Sequence, residues 1–155
     1  MSRMEKNYGH RSLRKGRFSA ANNIYFITAA TVDRSPLFSE WLYARAAING
    51  FTQAKLLGHS RLLCWVLMPD HVHWLIQLAD DTKLSTLVGS MKSASARLTR
   101  RAGCSQSIWA PAFYDHALRE EDDIRSIARY IAANPLRAGL VDRLGDYPYW
   151  DAVWL

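Results

Sequence analysis

In the segment Met68-Pro69-Asp70-His71-Val72-His73-Trp74-Leu75-Ile76, two imidazoles are separated by a single apolar residue. On an extended strand successive side chains alternate between faces, so His71 and His73 project to one side at a spacing that suits a shared metal ion, while Val72 points away. A second group lies downstream in Arg129-Tyr130-Ile131-Ala132-Ala133-Asn134-Pro135-Leu136-Arg137-Ala138-Gly139-Leu140-Val141, where Tyr130 and Asn134 are spaced one helical turn apart. Two nitrogen ligands, a phenol able to attack an electrophile, and an amide oxygen able to join the ligand set make a minimal kit for metal-assisted cleavage of a DNA strand.

Each of these residues also has a plain structural reading. A lone His-x-His is more often packed or surface histidine than a metal site, although two histidines on an apolar strand each need a hydrogen-bonding partner if buried. Asparagine is common at helix C-termini. Among the seven tyrosines, Tyr130 is favoured as nucleophile because it lies on one helical face with a candidate ligand. Tyr114, beside Asp115 and His116 in Phe113-Tyr114-Asp115-His116-Ala117-Leu118-Arg119, is its competitor. His116 reads either as a DNA-facing or supporting residue, or as a locally bonded strand histidine.

The elements that must position these groups follow from periodicity. Residues 23–31 are rich in Ile, Tyr, Phe and Thr and read as a first strand, and residues 40–57 carry helical apolar spacing up to Gly58. Arg61 to Met68 and residues 71–78 form a hairpin about the Met68-Pro69-Asp70 turn. Leu84 to Arg101 is a second helix, residues 112–118 a short fourth strand, and a last helix starts at the acidic group Glu120, Glu121, Asp122 and Asp123 and runs to about Asn134, where Pro135 disfavours helical geometry. This β-α-β-β-α-β order plus a third helix predicts an α+β fold. It is the ferredoxin-like split β-α-β arrangement, with a four-stranded antiparallel sheet and an extra C-terminal helix carrying the tyrosine. The third strand then places Val72, Trp74, Ile76 and Leu78 against the first two helices. His71, His73, Leu75 and Gln77 face the last helix, whose Ile124, Ile127, Ala128 and Ile131 form an apolar stripe. Docking by that stripe aims Tyr130 and Asn134 toward the histidines.

With 155 residues, 49% of them hydrophobic, the chain supports one compact domain, here residues 19–141, with a basic arm over 1–18 and a tail over 142–155. A net charge of +6 favours a polyanionic partner. Arg14, Lys15 and Arg17 lie in the densest basic stretch of the arm and are candidate DNA contacts. Lys92 and Arg97, with Arg100 and Arg101, offer phosphate contacts from the second helix or else a solvated face. Cys64 and Cys104 are too few and too far apart for a disulfide framework, which favours a reducing cytoplasmic setting. No apolar run approaches the roughly 18 residues of a membrane span, the N-terminus does not read as a signal peptide, and no Gly-rich phosphate loop indicates a nucleotide cofactor.

Taken in order, the basic Leu13 to Arg17 stretch, Tyr25-Phe26-Ile27-Thr28, the hairpin from Val66 to Ile76, Trp109, Asp115-His116-Ala117-Leu118-Arg119 and the block from Tyr130 to Val141 resemble the REP-associated tyrosine transposases. These are a branch of the single-tyrosine HUH transposases. The resemblance implies Mg2+ or Mn2+ held by His71 and His73 with Asn134 as third ligand, and Tyr130 as nucleophile. Many insertion-sequence relatives carry Gln at the last position. It further implies a partner of single-stranded DNA bearing REP-type hairpins, acted on by a monomer or homodimer, with cleavage and rejoining through a 5′-phosphotyrosine. The alternative from a different class is a non-catalytic single-stranded nucleic-acid binding module on the same fold. A zinc hydrolase is a further alternative, and it leaves Tyr130 without a role.

Overall fold

The computed structural model describes residues 23–119 and 122–154. The arm residues Arg14, Lys15 and Arg17 therefore lie outside the described residues, as do Glu120 and Glu121. The elements run β1 (Ile24–Ala30), α1 (Trp41–Phe51), α2 (Ala54–Leu57), β2 (Arg61–Met68), β3 (His71–Gln77), α3 (Leu84–Arg101), β4 (Tyr114–Ala117), α4 (Ile124–Ala132), α5 (Asn134–Arg137) and β5 (Trp150–Ala152). The sheet is antiparallel throughout, in the order β4-β1-β3-β2-β5.

The α+β ferredoxin-like reading holds, and β3 is central. Its alternation divides the protein into two apolar layers. Val72, Trp74 and Ile76 pack with Phe51 of α1 and with Leu84, Val88 and Met91 of α3. On the other face, Leu75 packs with Phe26, Val66, and Ala128 and Ile131 of α4. Close helix packing in the first layer depends on Gly50, where a Cβ would lie 2.6 Å from the Ser95 Cα. No helix among the described residues is long and apolar enough to cross a membrane.

Four sequence expectations need correction. The sheet has five strands, because residues 150–152 add β5 to the outer edge of β2. The region 142–155 is thus not a plain tail. Its Tyr147 hydroxyl donates to the Leu67 carbonyl, and the Leu67 amide donates to the Tyr149 carbonyl at 2.9 Å. The helix expected over 40–57 breaks after Phe51, where Thr52 turns its hydroxyl back to the Ile48 carbonyl at 2.7 Å and Gln53 is extended. The last helix ends at Ala132, and Asn134 opens the separate turn α5. Pro135 has no amide hydrogen to continue the ladder, which accounts for the break.

Candidate active site

The hairpin turn that precedes the histidines is held by three hydrogen bonds from Thr31 and Phe38. The Thr31 amide donates to the Asp70 carbonyl at 3.0 Å, the Thr31 hydroxyl to the same oxygen at 3.1 Å, and the Phe38 amide to the Pro69 carbonyl at 3.0 Å. His71 is the first residue of β3 beyond this clamp, so its backbone position is fixed before any ligand is present. His73 lies opposite Thr28 of β1. The two imidazoles meet edge to face, with centroids 4.8 Å apart, as the strand alternation predicts.

Both inner nitrogens have oxygen partners. His71 Nδ1 lies 2.8 Å from Asp70 Oδ1, and His73 Nδ1 lies 2.9 Å from Thr28 Oγ1. A carboxylate only accepts, so His71 carries its proton on Nδ1 and presents a bare Nε2. If His73 likewise donates to Thr28, the pair offers two Nε2 lone pairs, the state that metal coordination requires. Phe26 closes on His73 edge to face, with centroids 5.2 Å apart.

The electrostatics keep both rings neutral. Burial, reinforced by His71, Arg137 and Arg34, pushes His73 down to about 3. Burial also lowers His71, although Asp70 opposes it. Burial by itself would raise Asp70. The hydrogen bonds and charges of His71 and Arg34 outweigh it and hold the carboxyl below its ordinary range, with Arg34 Nε 3.1 Å from Asp70 Oδ2. Asp70, Arg34 and Thr28 were not singled out by the sequence reading. Asp70 carries a signal as a carboxylate adjacent to the first histidine, and Thr28 lies in the Tyr25-Phe26-Ile27-Thr28 segment, but neither reveals its partner.

Because Asp70 fixes the tautomer and orientation of His71, Asp70→Ala is expected to weaken Mn2+ binding by about 10- to 100-fold while the fold persists. A calorimetric Mn2+ titration unchanged from the parent would show that Asp70 serves only the turn.

Tyr130 projects from α4 and is 37% exposed. The Arg137 guanidinium stacks on its ring, 3.6 Å from the centroid. The same arginine is near enough to His73 to depress its basicity. Arg137 thus links the tyrosine to the histidine pair, a role the sequence reading did not assign. Among the described residues, no hydrogen bond joins the Tyr130 hydroxyl or the Asn134 amide to either histidine, and no cluster of three or more His, Cys, Asp or Glu offers a ready-made metal cage. The two imidazoles stand together on β3, and Asn134 is the first residue of α5.

The remaining candidates are spread more widely. Tyr114 is 54% exposed and lies opposite Thr28, on the same sheet face as His73 but two strands away from it. His116 lies opposite Phe26 on that face. Lys92 turns its ammonium to the Ala110 carbonyl at 2.7 Å, with Pro111 and Ala112 carbonyls at 3.5 and 3.4 Å, and burial lowers its basicity. Lys92 and exposed Arg97 both ride on α3, which covers the face opposite the histidines. The structure does not bring these two residues to the imidazole pair.

Residues 19–134 match the model of the family described as Transposase IS200 like. A REP-associated tyrosine transposase of Escherichia coli (strain K12) is 32% identical over an alignment of 110 positions that covers 63% of this chain and 64% of that protein. The chain thus spans just under two thirds of that relative's length. The solved structure of a REP-associated tyrosine transposase bound to a REP hairpin superposes with a TM-score of 0.65 at 27% identity, covering 86% of this chain and 79% of that one. A crystal structure from Deinococcus radiodurans, at 21% identity and a TM-score of 0.53 over 70% of this chain and 87% of its own, shares the fold.

Proposed function

The chain belongs to the IS200-like transposase family, and from that premise we propose that it cleaves and rejoins single-stranded DNA at REP-type hairpins through a 5′-phosphotyrosine on Tyr130. The observation that carries the reading is the neutral imidazole pair, each Nδ1 within hydrogen-bonding distance of an oxygen and Nε2 left for a cation. Two nitrogen donors, with the Asn134 amide oxygen as a third ligand, leave half of an octahedron for phosphate and water oxygens, which suits Mg2+ or Mn2+. A cation bound there supplies Lewis-acid stabilisation of the charge that develops on the scissile phosphate.

The chain's own residues do the rest. The Tyr130 phenol gives its proton to solvent, and its oxygen attacks phosphorus in line. The bond to the 3′ oxygen breaks, and that oxygen takes up a proton as a free 3′-hydroxyl. The phosphodiester bond is conserved as a phosphotyrosine ester, so a 3′-hydroxyl can reverse the step and join strands without ATP. Arg137 holds the tyrosine ring from one side and sets a positive charge beside the reacting phosphate.

The test is to incubate the protein with labelled single-stranded hairpin DNA and Mg2+ or Mn2+, then denature. A DNA-labelled protein band is the expected result. Tight hairpin binding with no adduct under either metal would favour the non-catalytic binding module.

The basic arm supplies part of the affinity in this reading. Replacing Arg14, Lys15 and Arg17 with alanine is expected to weaken hairpin binding and reduce the salt slope by about 0.7–0.9 for each phosphate that is no longer neutralised. Identical slopes in variant and parent would show the arm to be a solvated tail.

A further inference from the structure

The flank of α4 turned away from Tyr130 forms, with β5, a groove of about 510 Å3. Ala128 and Ala132 form part of its floor, Trp150 and Trp154 contribute its aromatic walls, and Arg125 and Arg129 stand at the helix side. Three features of the groove point the same way. Its lining combines the small side chains of Ala128, Ala132, Ala133 and Ala152 with the indoles of Trp150 and Trp154, so the space is bounded by apolar and aromatic surface. Trp154 is 36% exposed although it is a large aromatic, so a stacking surface remains available. The lining includes two guanidiniums and no carboxylate, a charge pattern that fits a phosphate linked to the ring. The acid at the start of the helix, Asp123, caps the Arg125 and Ser126 amides, and Arg129 lies near it, donating to the Ser126 hydroxyl at 3.4 Å, so Arg125 is the less engaged of the two guanidiniums.

We infer that this groove is a subsite for an unpaired nucleotide, its base stacked on Trp154 and Trp150 and its phosphate on Arg125 and Arg129. Aromatic stacking beside arginine is the general means by which proteins hold single strands without reading sequence. The subsite rests on the proposed DNA reaction, since the same helix carries Tyr130 on its other flank. The two flanks are separated by about the 10–12 Å diameter of a helix with its side chains. A strand attached at the tyrosine can therefore cross the outer surface of α4 and seat a neighbouring base in the groove. This gives β5 a functional role, as the wall opposite the helix.

The test compares a DNA hairpin carrying a single-stranded tail with the same hairpin lacking it, against wild-type protein, Trp154→Ala, and Arg125→Ala with Arg129→Ala. Wild-type protein is expected to bind the tailed hairpin more tightly. Trp154→Ala should lose about tenfold or more of that affinity, with the tailless hairpin bound as before. The arginine pair should lose tail affinity together with part of its salt dependence. A tail containing 2-aminopurine adds a direct reading: its fluorescence should be quenched by wild-type protein and less so by Trp154→Ala. If wild-type protein favours the tailed hairpin and both variants match it in affinity and quenching, the groove assignment is wrong while the parent reaction stands. If wild-type protein retains neither hairpin, the parent reading fails and takes the subsite with it.

Discussion

Tyr130→Phe protein is expected to bind hairpin DNA as well as the parent and to form no covalent adduct with it. The substitution removes one oxygen. That oxygen makes no hydrogen bond among the described residues, and the side chain is partly exposed, so folding stability should change by no more than about 0.5 kcal/mol. The phenylalanine ring keeps its place under Arg137, since a guanidinium stacks on Phe as well as on Tyr. Only the nucleophile is lost, and with it the phosphotyrosine ester, so cleavage should fall to the uncatalysed background. Tyr114 provides the internal control. It shares a sheet row with Thr28 and His73, which puts it two strand spacings, roughly 10 Å, from the second histidine. Tyr114→Phe should therefore leave the adduct intact. Digestion of trapped wild-type complex and sequencing of the DNA-linked peptide should place the bond on Tyr130. An adduct on Tyr114, or one that survives Tyr130→Phe, would overturn the mechanism.

How much of this was legible in the chain depended on whether each feature is written locally. The histidine pair was legible because strand alternation has a period of two, and the single residue between His71 and His73 settles their common face. The helix Leu84–Arg101 was equally plain, being long, amphipathic and bounded where the sequence placed it. The docking of α4 followed from its stripe, which reappears as buried Ala128 and Ile131. By contrast, β5 has three residues and follows Pro148. Its existence depends on the free edge of β2, which no window of sequence displays. The supporting contacts are hidden for the same reason. Thr28 meets His73, and Arg34 meets Asp70, across separations of 45 and 36 residues. The Asn134 position fell between these cases: Pro135 correctly announced a break, but the break falls before Asn134 rather than after it, leaving the amide on the far side. The histidines are held in place by Asp70 and Thr28, whereas no hydrogen bond among the described residues ties the Asn134 amide to them, so function should depend most on the histidines.

Replacing both histidines with alanine is accordingly expected to abolish cleavage while hairpin affinity stays within a few-fold of the parent. The two rings are neutral at working pH, so they add no positive charge that DNA binding would miss. What they supply is a pair of fixed nitrogen donors for the cation. Retained hairpin binding also serves as the control for folding. Acid provides a second reading of the same groups. An ordinary imidazole charges as pH falls through about 6.5, whereas burial holds His71 lower and His73 at about 3. Cation binding and cleavage should therefore persist below pH 6.5, then fail as His71 and finally His73 are protonated. The linked stability has a definite sign. The unfolded chain takes up these protons at higher pH than the folded one, so the parent's stability is greatest above about pH 6.5 and declines toward about 3. The double alanine variant lacks both groups and should lose less stability over that interval. Cleavage by the double variant at the parental rate with the same metal would sink the site assignment. If parent and variant instead lost stability in parallel between pH 6.5 and 3, the pair could not be the neutral, buried donors on which the chemistry rests.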